Sequence, residues 1–404
     1  MRILFVCHRL PYPPNRGGKI RPFNMIRHLS RQHSVVVATL AESPAELDAG
    51  QPLRSHCAEV LVELLPPTTR WRQAVAALPT ATPSSVAYFS SARLRARIAE
   101  AARHAPFDAI IVHCAFVAHH VDGIPAGLRV MDYGDLDSAK WAAYASHRAL
   151  PLSLGYALES RKLRAHERRL ATRFDQCTVT TQGERDEFLA LQVDRPCTVI
   201  PNGVDAGHFS PAPEAAAGTT SLVFLGRFDY FPNIDGARYF AEEIFPEVRR
   251  RVPGCTLQIV GANPAKVVRE LASRPGVQVC ANVPDVRPFL QGAAVSVAPL
   301  RIARGTQNKI LESMAMGVPV VATRQAARGI QAVAGEHLLV ADGPKDFAES
   351  VTRLLQAPGL RATLTRAARE QIARTHHWPA SMAILDEVLT AQRASEAAST
   401  RPAS

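Results

Sequence analysis

The chain lacks a membrane-spanning run: in 404 residues no stretch approaches the ~18 uncharged apolar residues that a spanning helix needs. The longest apolar candidates, such as 292–300, are strand-sized. There is no C-x-x-C pair. The seven cysteines, Cys7, Cys57, Cys114, Cys177, Cys197, Cys255 and Cys280, are an odd and scattered set within apolar segments. That pattern reads as reduced core residues, against a disulfide framework or a zinc site, whose ligands need close spacing. G-x-G-x-x-G is also missing, which argues against a nicotinamide or flavin dinucleotide site. No short-period repeat runs through the chain. Carboxylates are in deficit: 36 Asp and Glu stand against 47 Lys and Arg, a formal net charge of +11. Such a field favours anionic partners (nucleic acid, phospholipid head groups or phosphorylated metabolites) and by itself does not choose between them. No nucleic-acid recognition motif accompanies the charge, which disfavours that partner. The opening Met1-Arg2, five apolar residues and His8-Arg9 are too short for a signal-peptide core. They read as a first strand, and the expected location is cytoplasmic.

What is present is an ordinary soluble balance, 47% hydrophobic and 21% charged, enough to bury a core in each of two or three domains of roughly 100–200 residues. Short β-branched runs alternate with helical patterns along the whole length, the signature of a parallel sheet flanked by helices. Strands are expected at 3–7, 34–39, 59–62, 109–113, 128–132, 177–181 and 198–201. A second set is expected at 222–226, 256–260, 277–280, 294–298, 319–322 and 337–340. Most are continuous apolar runs, as strands covered on both faces should be. Between the sets, 210–220 is small and proline-bearing without periodicity and reads as a linker. The expected architecture is α/β, two doubly wound Rossmann-like units facing across a cleft, divided as 1–205 and 206–375. Residues 394–404 are small and polar and read as a disordered tail. In such sheets ligands bind beyond the carboxyl ends of the strands, so the loops there carry the chemistry.

The strongest local signal lies at 297–317. A buried strand ends at Pro299, a basic loop with Arg301 and Arg304 follows, and Gly305-Thr306 is expected to open a helix. Unsatisfied N–H groups at a helix start carry partial positive charge and suit a phosphate, and Gly305 allows close backbone approach. Lys309 and Glu312 follow one turn apart on one face. The lysine can hold a diphosphate while the carboxylate accepts both hydroxyls of a ribose. An ordinary capped helix with a Lys–Glu pair is the plainer alternative. A second signal is Leu225-Gly226-Arg227, where the arginine projects from a strand end and Pro232 is placed to start the next helix.

In the first unit, Gly17-Gly18 lie at an expected helix start, where they could admit a diphosphate or sugar close to the backbone. They could equally satisfy only a proline-rich turn. His113 and Asp132 end their strands, where substrate sits. Asp135-Leu-Asp137 has the D-x-D form used elsewhere to hold a metal, but hydroxyl binding or helix capping suits these aspartates better. Between 148 and 173 the charge is basic: Arg148, Arg161, Lys162, Arg164, Arg168, Arg169 and Arg173 against Glu159 and Glu167, with Leu150, Leu152, Leu154, Tyr156 and Leu158 alongside. Such a stretch can lie on an anionic membrane surface or form a solvated helix face.

Together these segments resemble the family-4 retaining glycosyltransferases of the GT-B fold. The residues that carry the resemblance are Gly17-Gly18, Val199-Ile-Pro-Asn-Gly-Val-Asp205 with Phe209, Gly226-Arg227, Lys309-Ile-Leu-Glu312 and Met314-Ala-Met-Gly-Val-Pro-Val-Val321. The segments around Gly17-Gly18 and Asp135 to Trp141 are similar to sugar transferases of the PEP-CTERM/exosortase exopolysaccharide system. The resemblance implies metal-independent, cofactor-free transfer of a sugar from a nucleotide-diphosphate sugar, with retention, to a saccharide acceptor. A lipid-linked acceptor at the cytoplasmic face of the inner membrane fits best. Glu312 would hold the ribose, and Arg227, Lys309, Gly305 and Thr306 the diphosphate, with Arg301 and Arg304 adding charge. Gly17 and Gly18 would lie by the phosphate or acceptor, and His113, Asp132 or Asp135 would line the sugar pocket. A C-terminal helix over 376–393 would pack back on the first domain. Two departures from the family pattern stand out. Arg304 occupies the position of the usual first glutamate, and the lysine common after Gly-Arg is absent, with Asn233 nearby. The second departure shifts neutralisation of the diphosphate toward Lys309 and the loop arginines. A hydrolysing nucleotide-sugar epimerase and a non-catalytic nucleotide-sugar-binding partner are the alternatives.

Overall fold

The computed structural model describes residues 1–211 and 219–399, with side chains to 390. The chain forms two compact units, 1–200 together with 382 onward, and 201–381. Most of the expected linker, 212–218, lies outside the described residues.

The first unit is built on a parallel sheet: β1 (Arg2–Cys7), β2 (Ser34–Ala41), β3 (Glu59–Leu64), β4 (Phe107–His113), β5 (Ala126–Gly134), β6 (Gln176–Val179) and β7 (Cys197–Val199). Their order across the sheet is β3-β2-β1-β4-β5-β6-β7. The second unit holds β8 (Ser221–Arg227), β9 (Thr256–Ala262), β10 (Val277–Ala281), β11 (Val295–Ala298), β12 (Val320–Ala322) and β13 (Leu339–Val340), in the order β10-β9-β8-β11-β12-β13. Every expected strand is present. The reason is burial on both faces: in β8, Leu222 and Phe224 enter one apolar cluster while Val223 and Leu225 enter another, so no polar alternation is left.

In each unit the strand order reverses at one place, between β1 and β4 and between β8 and β11. Loops leaving the carboxyl ends of those strands diverge and leave a crevice. His8 follows β1 and His113 ends β4, while Arg227 ends β8 and the 299–307 loop follows β11. The last helix, Trp378–Ser399, begins in the second unit and belongs to the first from Met382 onward, where His28 Nε2 lies 2.9 Å from Asp386. Its backbone continues through residues expected to be tail as far as Ser399, and 400–404 lie outside the described residues.

Candidate functional site

In the second unit, the loop after β11 reaches its helix later than expected. Gly305-Thr306 remain in the loop, and the helix is Asn308–Ala315 with Gln307 as its cap residue. The cause is backbone conformation: Gly305 has φ +60, which an α-helix does not accept, so the turn must finish first. Gly329 backs this loop so closely that a Cβ there would come within 2.0 Å of the Gly305 carbonyl oxygen. The Ile310 N–H turns back to the Gln307 carbonyl at 2.9 Å, and the N–H groups before it have no preceding helical turn to donate to. Beside them, Thr306 Oγ1 and Asn308 Oδ1 are buried without a partner among the described residues.

Asn233 joins the two sequence signals. Its Nδ2 donates to the Arg227 carbonyl at 2.8 Å, and its Oδ1 accepts from Lys309 Nζ at 2.5 Å. Lys309 is therefore held over the end of β8, with its ammonium 4.8 Å from the centre of the Phe224 ring. Burial pushes the Lys309 ammonium down to about 7 and the Glu312 carboxyl up to about 7, each opposed by the charge of the other. Both groups are thus short of countercharge, and a diphosphate would restore the lysine.

The arginines are less available than the sequence suggests. Arg301 does not point its charge freely into the loop: it makes a two-pronged pair with Asp235, 2.6 and 3.0 Å, and lies over the Tyr239 ring. Arg227 pairs with Asp229 at 2.6 Å, and Asp229 also accepts from Asn263. The backbone carbonyl of Arg304 accepts from Gln307 Nε2. A ligand phosphate would compete with carboxylates for Arg227 and Arg301, leaving Lys309 as the less neutralised cation.

In the first unit, β4 and β5 pair so that His113 lies directly beside Asp132. His113 Nδ1 donates to Asp132 Oδ2 at 2.7 Å, which leaves Nε2 as the ring nitrogen that Asp132 does not engage. Asp132 does not line a sugar pocket. It is fully buried, and its oxygens accept from Arg21 Nε and Nη2, Thr178 Oγ1 and His113. The Arg21 guanidinium holds its carboxyl far below the usual carboxylate range despite burial. Asp132 is a positioning residue for His113. Gly17 and Gly18 do start a helix, Gly17–Leu29, and a Cβ on Gly18 would meet the His8 ring at 3.8 Å. Burial and Arg9 hold His8 well below the ordinary imidazole range, so it is neutral. The D-x-D aspartates have separate partners, Asp135 with Thr180 and Asp137 with Lys140.

Sequence reasoning missed Arg21, Asp229 and Asp235 as partners of site residues. Only the Gly-Gly-Lys-Ile-Arg spacing hinted at Arg21, one turn beyond the glycine pair.

Comparison with known proteins accounts for both units. Residues 16–208 match the family described as Glycosyltransferase Family 4, and residues 219–357 match the one described as Glycosyl transferases group 1. The two units are the two halves of the GT-B glycosyltransferase fold. The fold is shared with sucrose-phosphate synthase from Thermosynechococcus elongatus, with TM-score 0.71, 17% identity and coverage of 98% of this chain and 100% of that one. It is also shared with HepE of Anabaena in complex with UDP, with TM-score 0.70, 14% identity and coverage of 97% and 100%. Among curated relatives, a D-inositol 3-phosphate glycosyltransferase of Nocardiopsis dassonvillei is 30% identical over 52% of this chain and 53% of its own. A GDP-mannose-dependent alpha-(1-6)-phosphatidylinositol monomannoside mannosyltransferase of Mycolicibacterium smegmatis is 27% identical over 56% and 65%. The chain thus spans between half and two thirds of the length of these relatives.

Proposed function

We propose that this GT-B protein is a retaining hexosyltransferase that moves a sugar from a nucleotide-diphosphate sugar to a saccharide acceptor. The acceptor is lipid-linked and presented at the cytoplasmic face of a membrane, and the product belongs to an exopolysaccharide or other cell-surface glycan of the PEP-CTERM type. The observation that carries the reading is the Arg227–Asn233–Lys309 connection. It brings one undercompensated ammonium to the loop and helix start at the strand reversal of the unit that matches the group 1 glycosyltransferases. The two relatives named above, acting by their names on inositol 3-phosphate and on a phosphatidylinositol mannoside, support a polyol or saccharide acceptor.

In this reading Glu312 accepts the ribose hydroxyls. Lys309, the Arg227 guanidinium and the amides following Gly305 meet the diphosphate charge in place of a metal ion. The bond from the anomeric carbon to the β-phosphate oxygen breaks as an acceptor hydroxyl attacks the same face of the sugar. The hydroxyl proton passes to the departing phosphate oxygen. Stabilising the negative charge that grows on that oxygen is the main catalytic contribution, typically 10²–10³ in turnover for one donor. His113, fixed by Asp132, offers Nε2 to a sugar hydroxyl. Gly17 and Gly18 leave room for the acceptor or phosphate beside the backbone.

The test is a mass-spectrometric screen of nucleotide sugars with lipid extracts, followed by calorimetry on variants. Glu312→Ala is expected to weaken donor binding roughly tenfold to a hundredfold, the loss of a charge-assisted hydrogen-bond pair. Lys309→Ala should lower turnover on the order of a hundredfold, and Asn233→Ala should follow it at smaller size. Unchanged kinetics in all three would reject the site. Release of free nucleotide without a glycosylated product would instead mark a hydrolysing epimerase. Binding without turnover would mark a non-catalytic partner, which the arginine at 304 makes a specific alternative.

A further inference from the structure

Two helices of the first unit carry large apolar side chains outward. On Pro67–Ala76 and the residue pair after it, Trp71, Val75 and Leu78 are spaced i, i+4 and i+7 and are 62%, 59% and 54% exposed. On Leu152–Ala171, Leu154 and Leu158 are spaced i, i+4 and are 67% and 46% exposed, with Leu150 and Leu152 exposed just before them. These stripes are neighbours. Lys162, one turn after Leu158, donates through Nζ to the carbonyls of Ala77 and Leu78 at 3.2 and 2.8 Å. Glu159 accepts the N–H groups of Ser84 and Ser85 a few residues further on.

The exposed charge on these two segments has one sign. Residues 64–83 contain no carboxylate, and 138–171 contain only Glu159 and Glu167. Both are buried: Glu159 caps the start of the Ser84–Tyr88 helix, and Glu167 accepts the N–H of Ser138. The two acids are spent inside the unit, so every exposed charge on these segments is basic, Arg72, Arg161, Arg164 and Arg168 among them. A soluble helix face ordinarily mixes signs and places few leucines outward. Outward leucines and a tryptophan on two adjoining segments whose exposed charges are all basic match the requirements of an anionic lipid surface. The apolar groups enter the acyl boundary, and the guanidinium groups meet phosphate. Nucleic acid would use the arginines but leave the leucines in water.

We infer that this two-helix face docks on a bilayer containing anionic phospholipid, and that it is the surface by which the protein reaches a lipid-linked acceptor. The last clause rests on the proposed transferase reading; the docking itself does not.

The test uses the full chain with vesicles of phosphatidylcholine alone or mixed with phosphatidylglycerol, read by flotation. Binding is expected to the mixed vesicles and to fall with salt. Leu154→Ser with Leu158→Ser should reduce it tenfold or more, and Arg72→Gln and Arg161→Gln about fivefold each. Trp71 emission should shift to the blue on binding, and that change should vanish in Trp71→Phe. Val75→Ser stands in if the leucine pair fails to fold by circular dichroism. No flotation, equal flotation with both vesicles, or unaltered flotation in the leucine and Val75 variants would overturn the inference. So would a wild-type oligomer that the leucine variants convert to monomer with vesicle binding unchanged, since a second copy would then cover the face. Calorimetry with nucleotide sugar on the same variants separates the two readings, because donor binding is expected to persist in all of them.

Discussion

At the residue scale, the first unit is organised by one buried ion pair. Arg21 is 2% exposed and Asp132 is fully buried, and the arginine also donates to the Ile200 carbonyl at 2.8 Å. Removing one partner of such a pair leaves a charge without compensation, which typically costs 3–5 kcal/mol, whereas removing both costs far less. Arg21→Met is therefore expected to lower stability by about 3–5 kcal/mol in urea unfolding, and Arg21→Met with Asp132→Leu to recover most of it. Additive losses in the double variant would contradict the coupling. The nearby Glu167 behaves in the opposite sense. Burial pushes its carboxyl up from 4.5 to about 8, Oε2 has no partner among the described residues, and Oε1 accepts from Ser138. Below pH 4.5 both folded and unfolded states hold the proton. Between about 4.5 and 8 the unfolded chain has lost it while the native state keeps it, so this group's contribution falls as pH rises and levels off above 8. Glu167→Gln keeps the acceptor and removes the titration. Its stability relative to the parent should rise on the order of 3 kcal/mol from pH 5 to pH 9. Parallel unfolding curves for the two proteins would refute this.

At the scale of elements, the 299–307 loop is a shape held by backbone contact. Gly305 turns with positive φ, and Gly329 allows its carbonyl to lie where a Cβ would otherwise be. Gly329→Ala must push the loop away, because the atom it meets is backbone and cannot swing aside. The expected result is at least tenfold weaker nucleotide-sugar binding, since even an ångström of displacement misaligns the helix-start N–H groups, with little change in the unfolding midpoint. Equal affinity by calorimetry would show that the loop shape does not matter to the donor. The strands themselves were legible from the sequence, since segments such as Ile3 to Cys7 are uninterrupted apolar runs bounded by polar turns. The start of the Asn308–Ala315 helix was not, because Gly-Thr before a periodic stretch looks like a cap until the sign of φ at Gly305 is known.

On the scale of the whole molecule, the excess of basic residues is not spread evenly. Part of it is neutralised by nearby acids, as with Arg301 and Asp235 or Arg227 and Asp229, and part is exposed on the segments around Arg72 and Arg161, whose own carboxylates are buried. Net charge of +11 points to an anionic partner without telling a phosphate in a loop from a lipid head group on a surface. The structure supplies a candidate place for each.

By itself the amino-acid order determined the two parallel sheets, their strand positions and the glycine-marked loops, because burial on both faces and tight turns leave local traces in composition. Tertiary structure alone decided the partners. Arg21 meets Asp132 across 111 residues, Lys309 meets Asn233 across 76, and Arg301 meets Asp235 across 66. Those pairings arise from which strands lie side by side, and neither periodicity nor spacing carries that information.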